Sequence, residues 1–327
     1  MSVPEATPTR PARRRAPAIR DYMTVMLLIL LCVIFALTAN DFLTGGNIRS
    51  ILTVQMVTLC MTFGIMFPLI VGEFDLSSGY LIGLVCMVGA FLGEHGHGAE
   101  MVIPAMLLTG VIVGFVNGVF SERVKISSFI ATLGTGIVLQ GLTQGLSNGS
   151  ILDIGIPSTV VTLGRGPFLG LVVSVWVALG FAIVLFYVLE HTPIGRSLYA
   201  IGGSERVAFL AGVQTRRLKI FAFVMSGLLV ACGGIFALGQ NGSADPSYGP
   251  TLLLPAYAAA FLGVTTYRGG YYNIVGSVVG TLLLAVGFNG LSLWGVPFWV
   301  QPVFNGAVLL VAVMLAKAET RQVRVGA

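Results

Sequence analysis

Residues 191–219, HTPIGRSLYAIGGSERVAFLAGVQTRRLK, decide how the rest of the chain is read. With Glu190, this stretch holds Arg196, Glu205, Arg206, Arg216, Arg217 and Lys219, whereas the apolar runs on either side carry no charge for more than twenty residues each. Pro193 and Gly195 are expected to break the preceding helix, and Gly202-Gly203-Ser204-Glu205 reads as a tight turn followed by an N-cap. The turn would use φ > 0 at Gly203, a conformation glycine tolerates and β-branched residues do not. From Arg206 to Val213, Val207, Leu210 and Ala211 have the i, i+3, i+4 spacing of a short amphipathic helix. Such a helix projecting from a membrane domain is a docking element. The alternative is a solvated loop whose basic residues only set membrane topology.

Outward from this stretch the composition excludes most soluble folds. Of 327 residues, 56% are hydrophobic and 9% charged, and the mean hydropathy is +0.93; a typical globular domain carries roughly 25% charge. Forty-three glycines suit close helix packing in lipid. The net charge of +5 does not point to nucleic acid, because the basic residues lie between apolar runs and at the termini. Cys32, Cys60, Cys86 and Cys232 all fall inside apolar runs, without pairing or metal-ligand spacing, and read as small core residues.

Stretches free of Asp, Glu, Lys and Arg run over 22–40, 50–72, 76–93, 101–121, 126–152, 166–189, 220–244 and 246–267. Each is near the roughly 20 residues needed to cross a bilayer. A ninth, 269–316, is divided near its middle by Gly295, Pro297 and Pro302, which makes about ten spans in an all-α polytopic membrane protein. The first run is too long for a removed signal peptide and lacks a small-residue cleavage site, so it reads as an uncleaved span. Residues 1–20, rich in Pro, Ala and Arg, read as a disordered basic tail, and 318–327 as a second tail. Between them 21–317 forms one transmembrane domain that includes the 190–219 loop.

Ten spans put both termini on one side. With that side cytosolic, the inner segments hold Arg10, Arg13, Arg14, Arg15, Arg20, Arg123, Lys125, the five basic residues of 190–219, Arg268, Lys317, Arg321 and Arg324. Only Arg49 and Arg165 lie outside, a split of 16 to 2 that sets the orientation.

Polar residues within or beside the spans are candidates for a path. Gly72-Glu73-Phe74-Asp75 joins spans two and three, and Glu73 has no basic neighbour in sequence. Asp75 either caps the third span or serves the path. Gly110, Gly114 and Gly118 form a small-xxx-small ridge on span four that reads as packing. Span five carries Thr132, Thr135, Gln140, Thr143 and Gln144, whose polar groups need water or partners, so they serve a translocation path or helix–helix bonding. The loop 147–166 is the longest outer segment and a candidate surface for an external partner. Asp75-Leu-Ser-Ser-Gly79 recurs as Asp245-Pro-Ser-Tyr-Gly249 after 170 residues, and Asn117-Gly118 as Asn289-Gly290 after 172. Five spans separate each pair, so the two five-helix halves would form an inverted repeat with a substrate path at their interface. The candidate path residues are therefore Glu73, Asp75, Asn117, Gln140 and Asn289.

The organising stretch resembles the cytoplasmic coupling loop of ABC-transporter permeases for simple sugars of the ribose, xylose and arabinose class, which are related to branched-chain amino acid permeases. The resemblance rests on Thr192, Gly195, Arg196, Tyr199, Ala200, Gly202, Gly203, Ala208, Gly212 and Val213. Ser204 replaces the usual Asn, and Phe209 sits where a basic residue is common. GEFDLSSG is similar to the family's G-G-x-D-L-S-x-G, with Glu73 and Ser78 departing from it. Gly263, Gly269, Gly270, Gly276, Gly280, Thr281, Asn289, Gly290, Leu291, Gln301 and Gly306 extend the likeness, which covers about residues 45–315.

The resemblance implies a permease subunit of an ATP-driven importer in a bacterial inner membrane. It would move a monosaccharide or similar small polar solute by alternating access, beside a second permease subunit in a homodimer, a separate ATP-binding cassette ATPase and a periplasmic solute-binding protein. Arg196, Gly202, Gly203, Ser204, Glu205, Val207, Leu210, Ala211 and Gly212 would couple to the ATPase. The chain itself has no G-x-x-x-x-G-K-[ST] motif and no catalytic set, and neither a cofactor nor a metal is expected. His95 and His97 in EHGHG are either a weak metal pair or solvated. A branched-chain amino acid permease shares this architecture. A stand-alone ion-coupled carrier, with Glu73 and Asp75 as coupling acids, is the rival of a different class.

Overall fold

The computed structural model describes residues 22–267 and 269–325, with side chains described through Lys317. The expected tail 1–20 and Arg268 lie outside the described residues. The expected C-terminal tail continues the last helix as far as Val325.

Helices dominate because apolar runs in lipid must satisfy every backbone group internally. In order they are α1 (Met23–Thr38), α2 (Gly45–Ile70), α3 (Ser78–Glu94), α4 (Ala99–Val119) with a π-helical turn (Phe120–Val124), α5 (Ser128–Ser147), α6 (Ser158–Arg165), α7 (Val173–His191), α8 (Pro193–Gly203), α9 (Glu205–Leu210), α10 (Thr215–Asn241), α11 (Leu253–Gly263) preceded by a 3₁₀ turn (Gly249–Leu252), α12 (Ile274–Leu293) and α13 (Val300–Val325). A hairpin pairs Pro167–Phe168 with Leu171–Val172 before α7.

Seven helices are long and apolar enough to cross a membrane: Gly45–Ile70, Ala99–Val124, Ser128–Ser147, Val173–His191, Thr215–Asn241, Ile274–Leu293 and Val300–Lys317. Where ten full spans are expected from the sequence, the other three stretches hold the shorter helices Met23–Thr38, Ser78–Glu94 and Gly249–Gly263. Two of these are short for a visible reason. The chain before α3 is taken up by a side-chain-held turn at Asp75, and the chain before α11 by a matching turn at Asp245 and by Pro246 and Pro250.

α10 is the centre of the packing, with α4, α2, α3 and α6 against it. The ridge on α4 seats there. A Cβ at Gly110 or Gly114 would run into the carbonyls of Gly227 or Phe223, and one at Gly118 would come within 2.9 Å of the Ile220 Cα. The ridge is therefore packing, as its spacing implies, and backbone proximity replaces the hydrophobic effect that lipid does not supply. α2 is buried from Met56 to Ile70, whereas α5, α7 and α13 present most of their surface outward.

The connections gather at two ends. At one end meet 71–77, 120–127, 190–215, 264–267 and 269–273, tied by Glu73–Lys219, Glu122–Lys219 and the Tyr199 hydroxyl donating to the Tyr272 carbonyl. At the other, Leu152 bridges Ala244, Arg49 donates to the Gly170 carbonyl and the Trp294 indole donates to the Thr38 hydroxyl. The 147–166 segment lies there and folds partly into α6, whose Gly164 fits closely against Gly239 of α10.

Candidate functional site

The 191–219 stretch is more helical than its glycines imply. Thr192 ends α7 and N-caps α8, its Oγ1 accepting the Gly195 amide at 3.4 Å, with Pro193 in the first turn. Pro at this position costs nothing, because the missing N–H would have had no partner. Pro193 and Gly195 thus begin a helix where a simple break was expected. Arg196 lies on the exposed side of the first turn of that helix.

Gly202 and Gly203 are the last residues of α8, not a turn, and neither has positive φ. Gly202 is needed for proximity: a Cβ there would collide with the Ile70 carbonyl, while one at Gly203 would meet nothing within 4 Å. The chain breaks at Ser204, whose Oγ accepts the Val207 amide at 3.4 Å and caps α9. α9 covers Glu205–Leu210, beginning one residue before and ending three residues short of the Arg206–Val213 span read from the sequence. It closes with Gly212 at φ +85°, and the Val213 amide reaches back to the Ala208 carbonyl at 3.0 Å. The left-handed glycine of this stretch is therefore Gly212, which terminates a helix in the usual C-terminal way.

Ala208 is buried beneath α9, while Val207, Phe209, Leu210 and Ala211 are exposed, Leu210 at 77%. Arg206, Arg216 and Arg217 surround them, also exposed. Between α8 and the start of α10 lies an open hollow of about 510 Å³ that Ile194, Gly212, Gln214 and Arg217 help to line.

Beneath α9 sits a charge cluster. The Lys219 ammonium, on the first turn of α10, lies 2.7 Å from Glu73, 3.1 Å from Glu122 and 2.8 Å from Glu205. Glu73, without a basic neighbour in sequence, therefore has one 146 residues away. The side chains of Lys219 and Glu122 are 7% and 2% exposed, that of Glu205 47%. Glu122 is turned inward from the π-helical segment, and its second oxygen takes Lys125 at 3.3 Å. Removing one partner of a buried pair such as Lys219–Glu122 typically costs about 3–5 kcal/mol, because the other charge stays behind.

One layer deeper, Asp75 is buried and its carboxylate collects donors. Oδ1 accepts from the Ser77 hydroxyl at 2.6 Å and its amide at 3.2 Å; Oδ2 accepts from Ser78 at 2.9 Å and from Ser226 of α10 at 2.7 Å. Asp75 thus organises the start of α3 and ties it to α10, which is more than a cap. The non-helical amides of Phe74, Asp75 and Leu76 donate to hydroxyls of Ser128, Tyr257 and Thr132. Unpaired backbone at this depth would be costly, and these hydroxyls remove the cost. Asn117 donates to the Ser77 hydroxyl at 2.7 Å, which brings Asn117 into the Asp75 network.

The remaining path candidates lie apart. Gln140 donates to the Pro246 carbonyl at 3.0 Å. Asn289 pairs with Asn47 near the end opposite α9, away from Asn117. Asp245 repeats the Asp75 turn locally, its Oδ1 accepting the amide and hydroxyl of Ser247 at 2.7 and 2.6 Å. The Ser247 hydroxyl, then its amide, hold the Asp245 carboxyl below the usual range. The His95 ring lies tilted against Phe91, centroids 4.3 Å apart, and its Nδ1 donates to the Phe91 carbonyl.

Sequence reading missed Lys219, Glu122 and Ser226 as partners. The available signal was that 72–76, 121–126 and 190–219 all fall on one side by charge, each with an acid.

The structure is that of a multi-helix membrane protein with a small exposed helix at one end, and the class it falls in, the transport permeases, is shown by its sequence relatives. The chain matches, over residues 47–313, the family described as the permease component of branched-chain amino acid transport systems, and it belongs to that family. It is 32% identical to the ribose import permease of Haemophilus influenzae over 90% of this chain and 92% of that one. It is 34% identical to the ribose import permease of Bacillus subtilis, covering 90% and 91%. With the L-arabinose ABC transporter permease of Azospirillum brasilense it shares 32% identity, covering 92% and 88%. No solved structure matches it.

Proposed function

We propose that the chain is the membrane-spanning subunit of an ATP-driven importer that carries a monosaccharide or similar small polar solute into the cytosol by alternating access. The observation that carries this reading is α9: Val207, Phe209 and Leu210 stand exposed on a helix capped at both ends, in a family of transport permeases. An exposed apolar cluster on a short rigid element fits a protein partner, here a separate ATPase. ATP-driven closure of the ATPases would move α9 and rock the helices between inward- and outward-open states.

The seven long helices and three short apolar ones make up the ten spans, with both termini and 190–219 cytosolic and 147–166 facing a periplasmic solute-binding protein. A second copy of the chain completes the path in the inner membrane. The matching Asp75 and Asp245 turns support two inverted halves, and Gly249 lies close against Gly79 where the turns lead into α3 and α11. Sugar is favoured over branched-chain amino acids because the relatives named above carry ribose and arabinose.

Purification from native membranes tests the reading. An ATPase that co-purifies with the chain, and uptake of ribose or arabinose that needs ATP, are expected. Uptake by this chain alone, driven by an ion gradient, overturns it.

A further inference from the structure

We propose that Lys219 is the joint through which the position of α9 is passed to the membrane helices, with Glu205 as its releasable arm and Glu73 and Glu122 as its fixed arms. The proposal rests on α9 being the ATPase-docking helix and adds what lies behind the docking surface.

α9 is only six residues long, and two of them hold it inward: Ala208, which is buried, and Glu205, whose carboxylate reaches Lys219 at 2.8 Å. Its other side chains face outward. A push on α9 reaches the body through its chain links to α8 and α10, through Ala208 and through this ion pair, which is its direct side-chain tie to a charge on α10.

The arms of Lys219 differ in burial. Glu122 is 2% exposed, Glu73 18% and Glu205 47%. Water can replace Lys219 at Glu205, so that arm opens cheaply. It cannot do so at Glu122, which would be left as a buried charge. Three carboxylates around one ammonium also repel each other, and the exposed one relieves that repulsion by leaving. Release of Glu205 leaves Lys219 paired twice, so the joint survives the opening of its outer arm.

What Lys219 holds on its inner side makes it a joint. Glu73 lies in the segment leading to α3 and Glu122 in the π-turn ending α4, while Lys219 itself stands on α10. Seven residues further along α10, on the same face, Ser226 bonds Asp75; Asp75 bonds Ser77, and Ser77 takes Asn117 of α4. The same three elements are thus tied twice, by charges near the surface and by hydroxyls below. A displacement of Lys219 moves α3, α4 and α10 together.

The test uses the chain purified with its ATPase in lipid nanodiscs, its four cysteines replaced, and spin labels on cysteines at Gln144 and Asn241. ATP with vanadate should change the distance between these labels in the parent. Glu205→Gln should keep the ATPase bound but reduce that change by more than half, and Glu205→Asp should restore most of it. Because Lys219→Met alone leaves Glu73 without its cation and the buried Glu122 with only the exposed Lys125, the uncharged joint Glu73→Gln, Glu122→Gln, Lys219→Met serves as the second variant and should also assemble without responding. A parent-like response in Glu205→Gln and in the uncharged joint overturns the proposal. So does loss of the ATPase from Glu205→Gln, which would put Glu205 in the docking contact itself. A parent that neither holds an ATPase nor responds to ATP defeats the docking reading, and the proposal with it.

Discussion

Asn47 and Asn289 exchange amide hydrogen bonds, each side chain donating to the other at 2.9 and 2.8 Å, and so clasp α2 to α12 across 242 residues of sequence. Asn47 also donates to the Phe42 carbonyl at 2.9 Å, which leaves its oxygen dependent on Asn289. Asn289→Leu is expected to lower stability by about 1–2 kcal/mol by orphaning that oxygen. Adding Asn47→Leu should recover part of the loss, with a coupling of about 0.6 kcal/mol, typical of such bonds in membranes. Thermal unfolding of the four proteins in detergent gives the cycle. If Asn289 instead lines the path, as sequence alone suggests, Asn289→Leu will cut uptake at unchanged stability.

The contrast between these two asparagines and the coupling stretch shows what was legible. Apolar runs announce helices in lipid because length and lack of charge suffice, and each charge-poor run read from the sequence holds an apolar helix. The cap at Ser204 was also visible, since capping is local chemistry. The partner of Glu73 was not, because Lys219 is 146 residues distant and nothing local marks it. Glycine was the other blind spot. Gly202, Gly203 and Gly212 look alike in sequence, yet one meets a carbonyl, one meets nothing and one has φ +85°. Which role a glycine has depends on neighbours that the sequence does not list.

Those three glycines should separate in substitution. Gly202→Ala forces α8 away from the Ile70 carbonyl and is expected to cost about 1–3 kcal/mol, as overpacking does. Gly203→Ala has open space and a helical backbone, so it should be neutral or stabilising by about 0.5–1 kcal/mol. Gly212→Ala must adopt a left-handed conformation, at about 1–2 kcal/mol. Melting temperatures in one detergent rank the variants, and a Gly203→Ala protein as unstable as Gly202→Ala would refute the assignment.

The orientation is testable with single cysteines. Ser158 and Ser204 are both exposed, at opposite ends of the helices, while Cys60 and Cys86 are buried. In a background with the native cysteines replaced, Ser158→Cys in intact spheroplasts should react with an impermeant thiol reagent. Ser204→Cys should react only after permeabilisation. The opposite labelling would invert the topology, and α9 could then meet no cytosolic ATPase.

Leu210→Asp addresses the docking helix directly. Leu210 is 77% exposed and buries little within the chain, so its replacement should leave insertion and melting temperature unchanged, as for surface substitutions generally, within about 0.5 kcal/mol. The cap at Ser204 and the close at Gly212 remain, so α9 still forms. What changes is the outward apolar cluster of Val207, Phe209 and Leu210, where a carboxylate would be desolvated against an apolar partner surface. An apolar anchor at the centre of an interface is worth about 2 kcal/mol or more, and this variant both removes it and adds a charge to be buried. The expected result is an inserted, stable chain that retains little ATPase through purification, at least tenfold less than the parent. Val184→Asp would be a poor control because that residue lies within a span. Arg216→Gln, exposed beside α9 and outside the apolar cluster, should weaken association less than Leu210→Asp does. If Leu210→Asp holds its ATPase as the parent does, the exposed cluster is not the docking contact.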